Sequence, residues 1–566
     1  MNFNHYFTNE ELEFLLKEWA TIYSNQLTLS QMGTSYKGLG IWLVTLTNHA
    51  TGLDTEKPAI WLDANIHATE LAGTTTVLHI IHKLLTEYGQ DDRITRLLDT
   101  CTFYAVPRIN PDGAALALAT PSQYVRSGVR AYPEAEKAEG LHRQDIDGDR
   151  RCLQMRIADP NGDWKISSLD PRLMEKRAPD EHGGTYYRVL PEGLISDFDG
   201  YNIKIAQPLA GLDFNRNFPF EWRPEAEQPG SGPYPASEPE IQAVIQFIAT
   251  HPNINLALTY HTYSGVILRP YSGKPDEEMI TEDLWVYEKI GDRGSQITGY
   301  PCVSVYTGFR YHPKDVTTGA FDDWIYDHFG IFAFTVELWN LLEHAGIKDR
   351  TFIEWRRHHP HTDDLQILQW LDEQVGAEAY IPWYPALHPQ LGAVELGGWN
   401  SLYTWQNPPP ALMGAEAARN APFVLALGDM LPHLAIHTLQ VTILSDRLYR
   451  LNLVVENTGF LPTYTSQQGK ERQSARPVIV EIELPTEVTL FTGKRRTEVG
   501  HLEGRSNKLH LAEFSQIYAP SATDNRAHVE WVLQAETETS VQLIVRSDRA
   551  GVIRRQVQLL SATVVD

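Results

Sequence analysis

Short apolar runs without polar alternation recur through the first two thirds of the chain, and they constrain its fold more than any other feature. Examples are "AIWLDAN" (59–65), "LALTYH" (256–261) and "IFAFTVEL" (331–338). A strand with one face in water alternates apolar and polar residues; an unbroken apolar run suits a strand covered on both faces. Further strands are expected at 40–47, 100–106 and 302–306. Helix patterns lie between them, at 8–23, 71–88, 238–250, 281–298 and 362–375. Ser237 reads as the N-cap of the third, followed by acids and Pro239 in the first turn. This alternation predicts an α/β domain: a mixed, mostly parallel central sheet flanked by helices.

Two regions break the pattern. Between about 114 and 210 the chain is rich in Pro, Gly and charge, as in "RQDIDGDRRCLQMRIADPNGDWK". A loop this long inside a compact domain is either functional or separately folded, so it reads as an insertion. After "NPPPA" (407–411) come period-2 runs such as "LYRLNLVV", "PVIVEIELP" and "HVEWVLQAE". Several short alternating strands with turn residues between them predict an all-β sandwich. With 566 residues, more than one core is expected. The division is 1–395 for the α/β domain and 410–566 for the β-sandwich.

The formal charge of −24 argues against nucleic acid or an anionic membrane as the main partner. Three scattered cysteines, Cys101, Cys152 and Cys302, form no CxxC and exclude a disulfide framework. No stretch is apolar enough to span a membrane. The N-terminus begins at once with a helix pattern, so a cytoplasmic protein is the default expectation. Oligomeric state is not legible.

Chemistry gathers in five short stretches. His67 and Glu70 form an HxxE at a strand-to-helix junction, where both side chains can reach one ion. A catalytic zinc takes three protein ligands, and His₂Glu is one such set. Taken alone, HxxE is equally a surface His beside an acid. "TYHTYS" puts His261 at the end of a strand, where α/β sheets place ligands. "TVELW" puts Glu337 in an apolar run, where a carboxylate is costly unless paired or used. "INPDG" (109–113) and "GLDFNRNFPFEW" (211–222) complete the set.

In this order, HxxE, NPDG, DFNRNF, YHTYS and TVELW resemble the zinc metallocarboxypeptidases, the relatives of pancreatic carboxypeptidases A and B. The resemblance covers about 8–390 and departs mainly in the long gap between NPDG and DFNRNF. It implies a carboxypeptidase-like fold and one zinc ion held by His67, Glu70 and His261. Asp213 matches the acid that orients a zinc-bound His. Asn215 and Arg216 match the pair that grips a substrate's terminal carboxylate. Glu337 matches the catalytic acid, and an Arg about a dozen residues after NPDG stabilises the oxyanion. Arg126 stands at that distance, with Arg130 as runner-up. Tyr306 and Tyr311 both stand for the Tyr that caps the substrate; following a strand favours Tyr306. Tyr263 matches a cleft wall.

"TGAFDDWIYD" is similar to the pocket loop of the basic-residue carboxypeptidases, in which the first Asp recognises Lys or Arg. Asp322 holds that place; the other reading is that it caps a helix beginning at Trp324. The implied partner is a peptide with a free C-terminal carboxylate. A zinc amidohydrolase acting on peptidoglycan-type peptides or N-acyl amino acids needs the same zinc and Glu. An inert binding protein would lack a ligand or the base, and none is missing. Asp145, Asp147 and Asp149 alternate as in calcium loops, but the twelfth position falls on Arg156, so an EF-hand fails. An irregular calcium loop or a solvated acidic turn paired with Arg150 and Arg151 remain as readings.

Overall fold

The computed structural model describes all residues except 135, 137, 313, 509–521 and 560–566. Its centre is an eight-stranded mixed sheet. The strands are β1 (Leu27–Thr34), β2 (Gly40–Leu46), β3 (Ala59–Ala64), β4 (Thr102–Val106), β5 (Ile254–Thr262), β6 (Val266–Arg269), β7 (Cys302–Ser304) and β8 (Phe332–Leu338). Their spatial order is β1-β2-β4-β3-β5-β8-β6-β7. The neighbours β4-β3, β3-β5, β5-β8 and β6-β7 are parallel, and the other pairs antiparallel. The expected strands recur here, except that the one at 302–306 ends at Ser304. The Ser304 hydroxyl accepts from the Thr307 amide and opens a helical turn.

The unbroken apolar runs divide their side chains between two cores. Ile60, Leu62, Phe334 and Val336 pack into one; Ala59, Trp61 and Ala333 pack into the other. Seven helices matter for the site: α1 (Asn9–Ile22), α2 (Ala72–Glu87), α3 (Pro239–Thr250), α4 (Thr281–Thr298), α5 (Phe321–Phe329), α6 (His361–Gln374) and α7 (Pro410–Gly428). Leu15, Ile80, Ile290 and Val424 bring α1, α2, α4 and α7 into the first core; Val244 and Trp324 bring α3 and α5 into the second. The N-cap of α3 is Glu238 rather than Ser237, whose hydroxyl donates to the Glu238 carboxylate.

Residues 410–428, expected within the β-sandwich, form α7. Met413, Ala417 and Phe423 belong to the catalytic-side core. The break at NPPPA is also not a linker: the Asn407 carboxamide oxygen accepts from the Ala72 amide (2.9 Å), covering an open N–H at the start of α2. The insertion folds as sheet. Gln154–Ala158 and Tyr187–Pro191 pair with each other, and Gln154–Ala158 pairs in turn with Gly392–Trp399 from far along the chain. Met155, Val394 and Leu396 form the small core of this six-stranded sheet.

Beyond 433 the described residues form two four-stranded antiparallel sheets. Leu451, Leu453 and Trp531 of one face Val480, Leu543 and Val545 of the other in a shared core, as expected of a sandwich. This unit grips the turn between α5 and β8. The Ser466 hydroxyl donates to the Gly330 carbonyl (2.7 Å), the Ser474 hydroxyl to the Phe329 carbonyl (2.7 Å), and the Gln468 amide to the Asp327 carbonyl (2.9 Å). No helix among the described residues is long and apolar enough to cross a membrane.

Candidate metal centre and active site

The site lies at the C-terminal ends of the parallel strands, where open α/β sheets form their crevices. His67 follows β3, His261 lies one residue from the end of β5, and Glu337 lies one from the end of β8. His261 and Glu337 are direct partners across the β5–β8 ladder. Glu70 sits in the polar turn before α2. That turn is held by Asn65, whose amide donates to the carbonyl of His67 (2.8 Å).

His67, Glu70 and His261 are each no more than 3% exposed. His67 Nδ1 lies 2.9 Å from Glu70 Oε1, His261 Nδ1 lies 3.0 Å from Glu70 Oε2, and the two Nδ1 atoms are 3.1 Å apart. His67 Nε2 faces Asp213 Oδ1 at 3.1 Å. An ionised carboxylate only accepts, so that contact puts the proton on Nε2 and leaves a lone pair on Nδ1. Burial lowers the pKa of His261, favouring the neutral ring. Two imidazole nitrogens and a carboxylate that converge on one point fit a divalent cation of zinc's type.

Around this cradle is a cavity of about 850 Å³. Arg126 reaches it from the start of the insertion. Its backbone carbonyl accepts from the Ala68 amide (2.9 Å), fixing it to the HATE turn. Its guanidinium donates to Asp213 Oδ2 (2.9 Å) and Glu70 Oε1 (3.2 Å). Arg130, the runner-up, is paired with Glu238 and does not line the cavity. NPDG serves this placement: Asn110 caps its own helix and donates to the Ser127 carbonyl (2.8 Å).

Asn215 and Arg216 also line the cavity, in a 3₁₀ turn capped by the Asp213 carboxylate. Asn215 Oδ1 accepts from the Phe321 amide (2.9 Å), which ties this turn to the start of α5. Asp322 is buried in the first turn of α5 and faces the cavity. It is not the cap: Ala320 precedes the helix, and Asp322 Oδ2 instead accepts from the Thr335 hydroxyl (3.1 Å). Burial raises the Asp322 pKa, while the Thr335 hydrogen bond and the Arg216 charge oppose the rise. Burial also pushes the Glu337 carboxyl well above the usual range, with the Glu70 carboxylate adding to the effect and Arg126 opposing it.

The choice between the tyrosines goes against the strand rule. Tyr311 lines the cavity; Tyr306 does not, because β7 ends early and the helical turn carries its ring under Arg310, 3.9 Å away. Tyr263 lines the wall. Arg223, Arg310, Lys314 and Arg356 also line the cavity. They come from three segments of the chain without a motif, Arg310 and Lys314 sharing one loop, so only the fold reveals them.

Asp145, Asp147 and Asp149 do gather. Their oxygens accept from the amides of Gly148, Asp149, Arg150 and Arg151 and from the Tyr384 hydroxyl. Backbone amides, those of Arg150 and Arg151 among them, thus engage all three acids, as in a solvated acidic turn, and the calcium reading gains no support.

A zinc carboxypeptidase family model matches residues 12–349, more than half of the chain, and a domain of unknown function (DUF8731) matches 433–558. The chain belongs to the zinc carboxypeptidase family. Carboxypeptidase A2 of Rattus norvegicus is 23% identical over 345 residues, covering 60% of this chain and 63% of that protein. Carboxypeptidase A6 of Homo sapiens is 23% identical over 348 residues, covering 60% and 61%. The chain thus spans less than two thirds of these relatives. Among solved structures, carboxypeptidase A from Helicoverpa armigera matches with a TM-score of 0.41 and 17% identity, covering 67% of this chain and 76% of that one.

The contact between Asp213 and His67 makes one expectation measurable. Asp213→Ala should weaken zinc binding by about 10- to 100-fold, as loss of a ligand's hydrogen-bond partner does elsewhere. Competition with a zinc-chelating dye checks it; unchanged affinity would remove Asp213 from this role.

Proposed function

We propose that this chain is a zinc-dependent carboxypeptidase that removes C-terminal residues from peptides, with a preference for Lys and Arg. What supports the reading is a single cavity that holds the metal cradle, Glu337, a carboxylate clamp and a buried acid together. Held by His67, Glu70 and His261, zinc would polarise the scissile carbonyl and acidify the attacking water. Glu337 takes the water's proton and passes it to the nitrogen of the leaving amine. Arg126 donates hydrogen bonds to the oxygen on which negative charge develops. Arg216 and Asn215 receive the terminal carboxylate, with the planar guanidinium suited to two parallel bonds. Tyr311, on the cavity wall, packs against the bound residue.

Asp322 gives the side-chain preference. It is buried beside the clamp, feels the Arg216 charge, and forms no ion pair of its own among the described residues. A Lys or Arg side chain that enters would stabilise its ionised form. A charge-assisted contact is worth about 1.5–3 kcal/mol, or roughly 10- to 100-fold in rate constant. The test is a set of N-blocked dipeptides that end in Arg, Lys, Phe, Leu or Glu, given to the native chain and to Asp322→Ser. Native kcat/KM should be highest for Arg and Lys, and the variant should lose that advantage by the factor above. A native preference for Phe or Leu would refute the assignment of Asp322.

A further inference from the structure

The inner charges of the cavity are accounted for: Arg126 is paired with Asp213 and Glu70, and Arg216 belongs to the clamp. Four more cations line the same cavity: Arg223, Arg310, Lys314 and Arg356. Among the described residues only two acids, Glu227 and Asp315, stand beside them outside the catalytic set. This local excess of positive charge lies in a chain of net charge −24. Among the described residues, Arg223, Lys314 and Arg356 form no ion pair.

Arg356 is the best placed. Its guanidinium donates to the Tyr263 hydroxyl (3.3 Å) and lies 5.4 Å from the centre of the Tyr311 ring. The neighbouring Arg357 donates to the carbonyls of Arg310 and Tyr311 (2.6 and 3.0 Å), binding that loop to the helix Phe352–Arg357. The rim is thus held together; Arg356, beside Tyr263 and Tyr311, and the cations that share its cavity wall lie outside the metal cradle and the carboxylate clamp.

Resting on the carboxypeptidase reading, we propose that this rim recognises acidic side chains in the substrate just upstream of the residue removed. The substrate class is a peptide with Glu or Asp at the positions before its C-terminal residue. Guanidinium and ammonium groups that are not neutralised in the protein gain most from a carboxylate partner, and attraction of this kind falls with salt.

The experiment uses peptides that share one C-terminal Arg and differ only at the two preceding positions: Glu-Glu, Gln-Gln or Lys-Lys. In the native chain, kcat/KM should follow Glu-Glu over Gln-Gln over Lys-Lys, by roughly tenfold at the first step in low salt, and the ratio should shrink at high salt. In Arg356→Gln/Lys314→Gln the ratio of Glu-Glu to Gln-Gln should fall toward one. Equal native rates for Glu-Glu and Gln-Gln at low salt would overturn this inference and leave the proposed reaction standing. A preference that survives the double variant would overturn the assignment to these residues. Failure to cleave any peptide would overturn both readings together.

Discussion

Glu337→Gln is expected to bind zinc as the native chain does and to lose peptide hydrolysis by about 100- to 10,000-fold, the usual range for a general acid–base group. Glu337 is not part of the cradle: the converging atoms are His67 Nδ1, His261 Nδ1 and the Glu70 carboxylate. Its amide would keep the shape of the side chain on β8 and the cavity wall. What it would lack is a site to receive a proton from water and return it to the leaving nitrogen. Metal content by atomic absorption and kcat on one peptide, measured on the same sample, separate the two properties. Full activity in Glu337→Gln would refute the proposed role; loss of zinc with activity would place Glu337 in the metal site instead.

Gly330→Ala is expected to lower stability by about 2–4 kcal/mol. Gly330 ends α5 in the left-handed region (φ 62°), where its amide donates back to the carbonyls of Ile325 and Tyr326. A Cβ on it would stand 2.2 Å from both the Cα and the N of Gly469 in the β unit. Neither obstacle is a side chain that can rotate away, so the two units must part or the turn must move. That turn joins the helix of Asp322 to the strand of Glu337, so kcat/KM should fall along with the midpoint of urea unfolding. An unchanged midpoint would mean that the β unit does not brace this turn.

How far these features were legible in the chain depends on whether their cause is local. HxxE, NPDG and DFNRNF are short segments whose geometry is set within a few residues, and His261 and Glu337 stand at the ends of strands whose apolar runs mark them. Helix α7 was missed for a physical reason. "PALMGAEAARNAPFVLALG" is apolar over much of its circumference because it is packed on α2 and α4, so it shows little helical stripe. The "NPPP" before it looked like a stop, while Pro410 serves at the first helical position. The insertion's strands are short and charged, and one of the two partners of Gln154–Ala158 is more than 200 residues away. Tyr311 and the rim cations depend on loop paths that no periodicity encodes.

That distant pairing sets a schedule for the chain as it is made. At about 5–20 residues per second, Gln154–Ala158 leaves the ribosome on the order of 10–50 s before Gly392–Trp399, the strand that covers one of its edges. Until then the insertion carries an open sheet edge beside the nascent site, of the kind that pairs readily with other chains. A chain that stops before Gly392 should therefore expose this edge and aggregate more readily than one that includes Gly392–Trp399, as light scattering of the two released fragments would show.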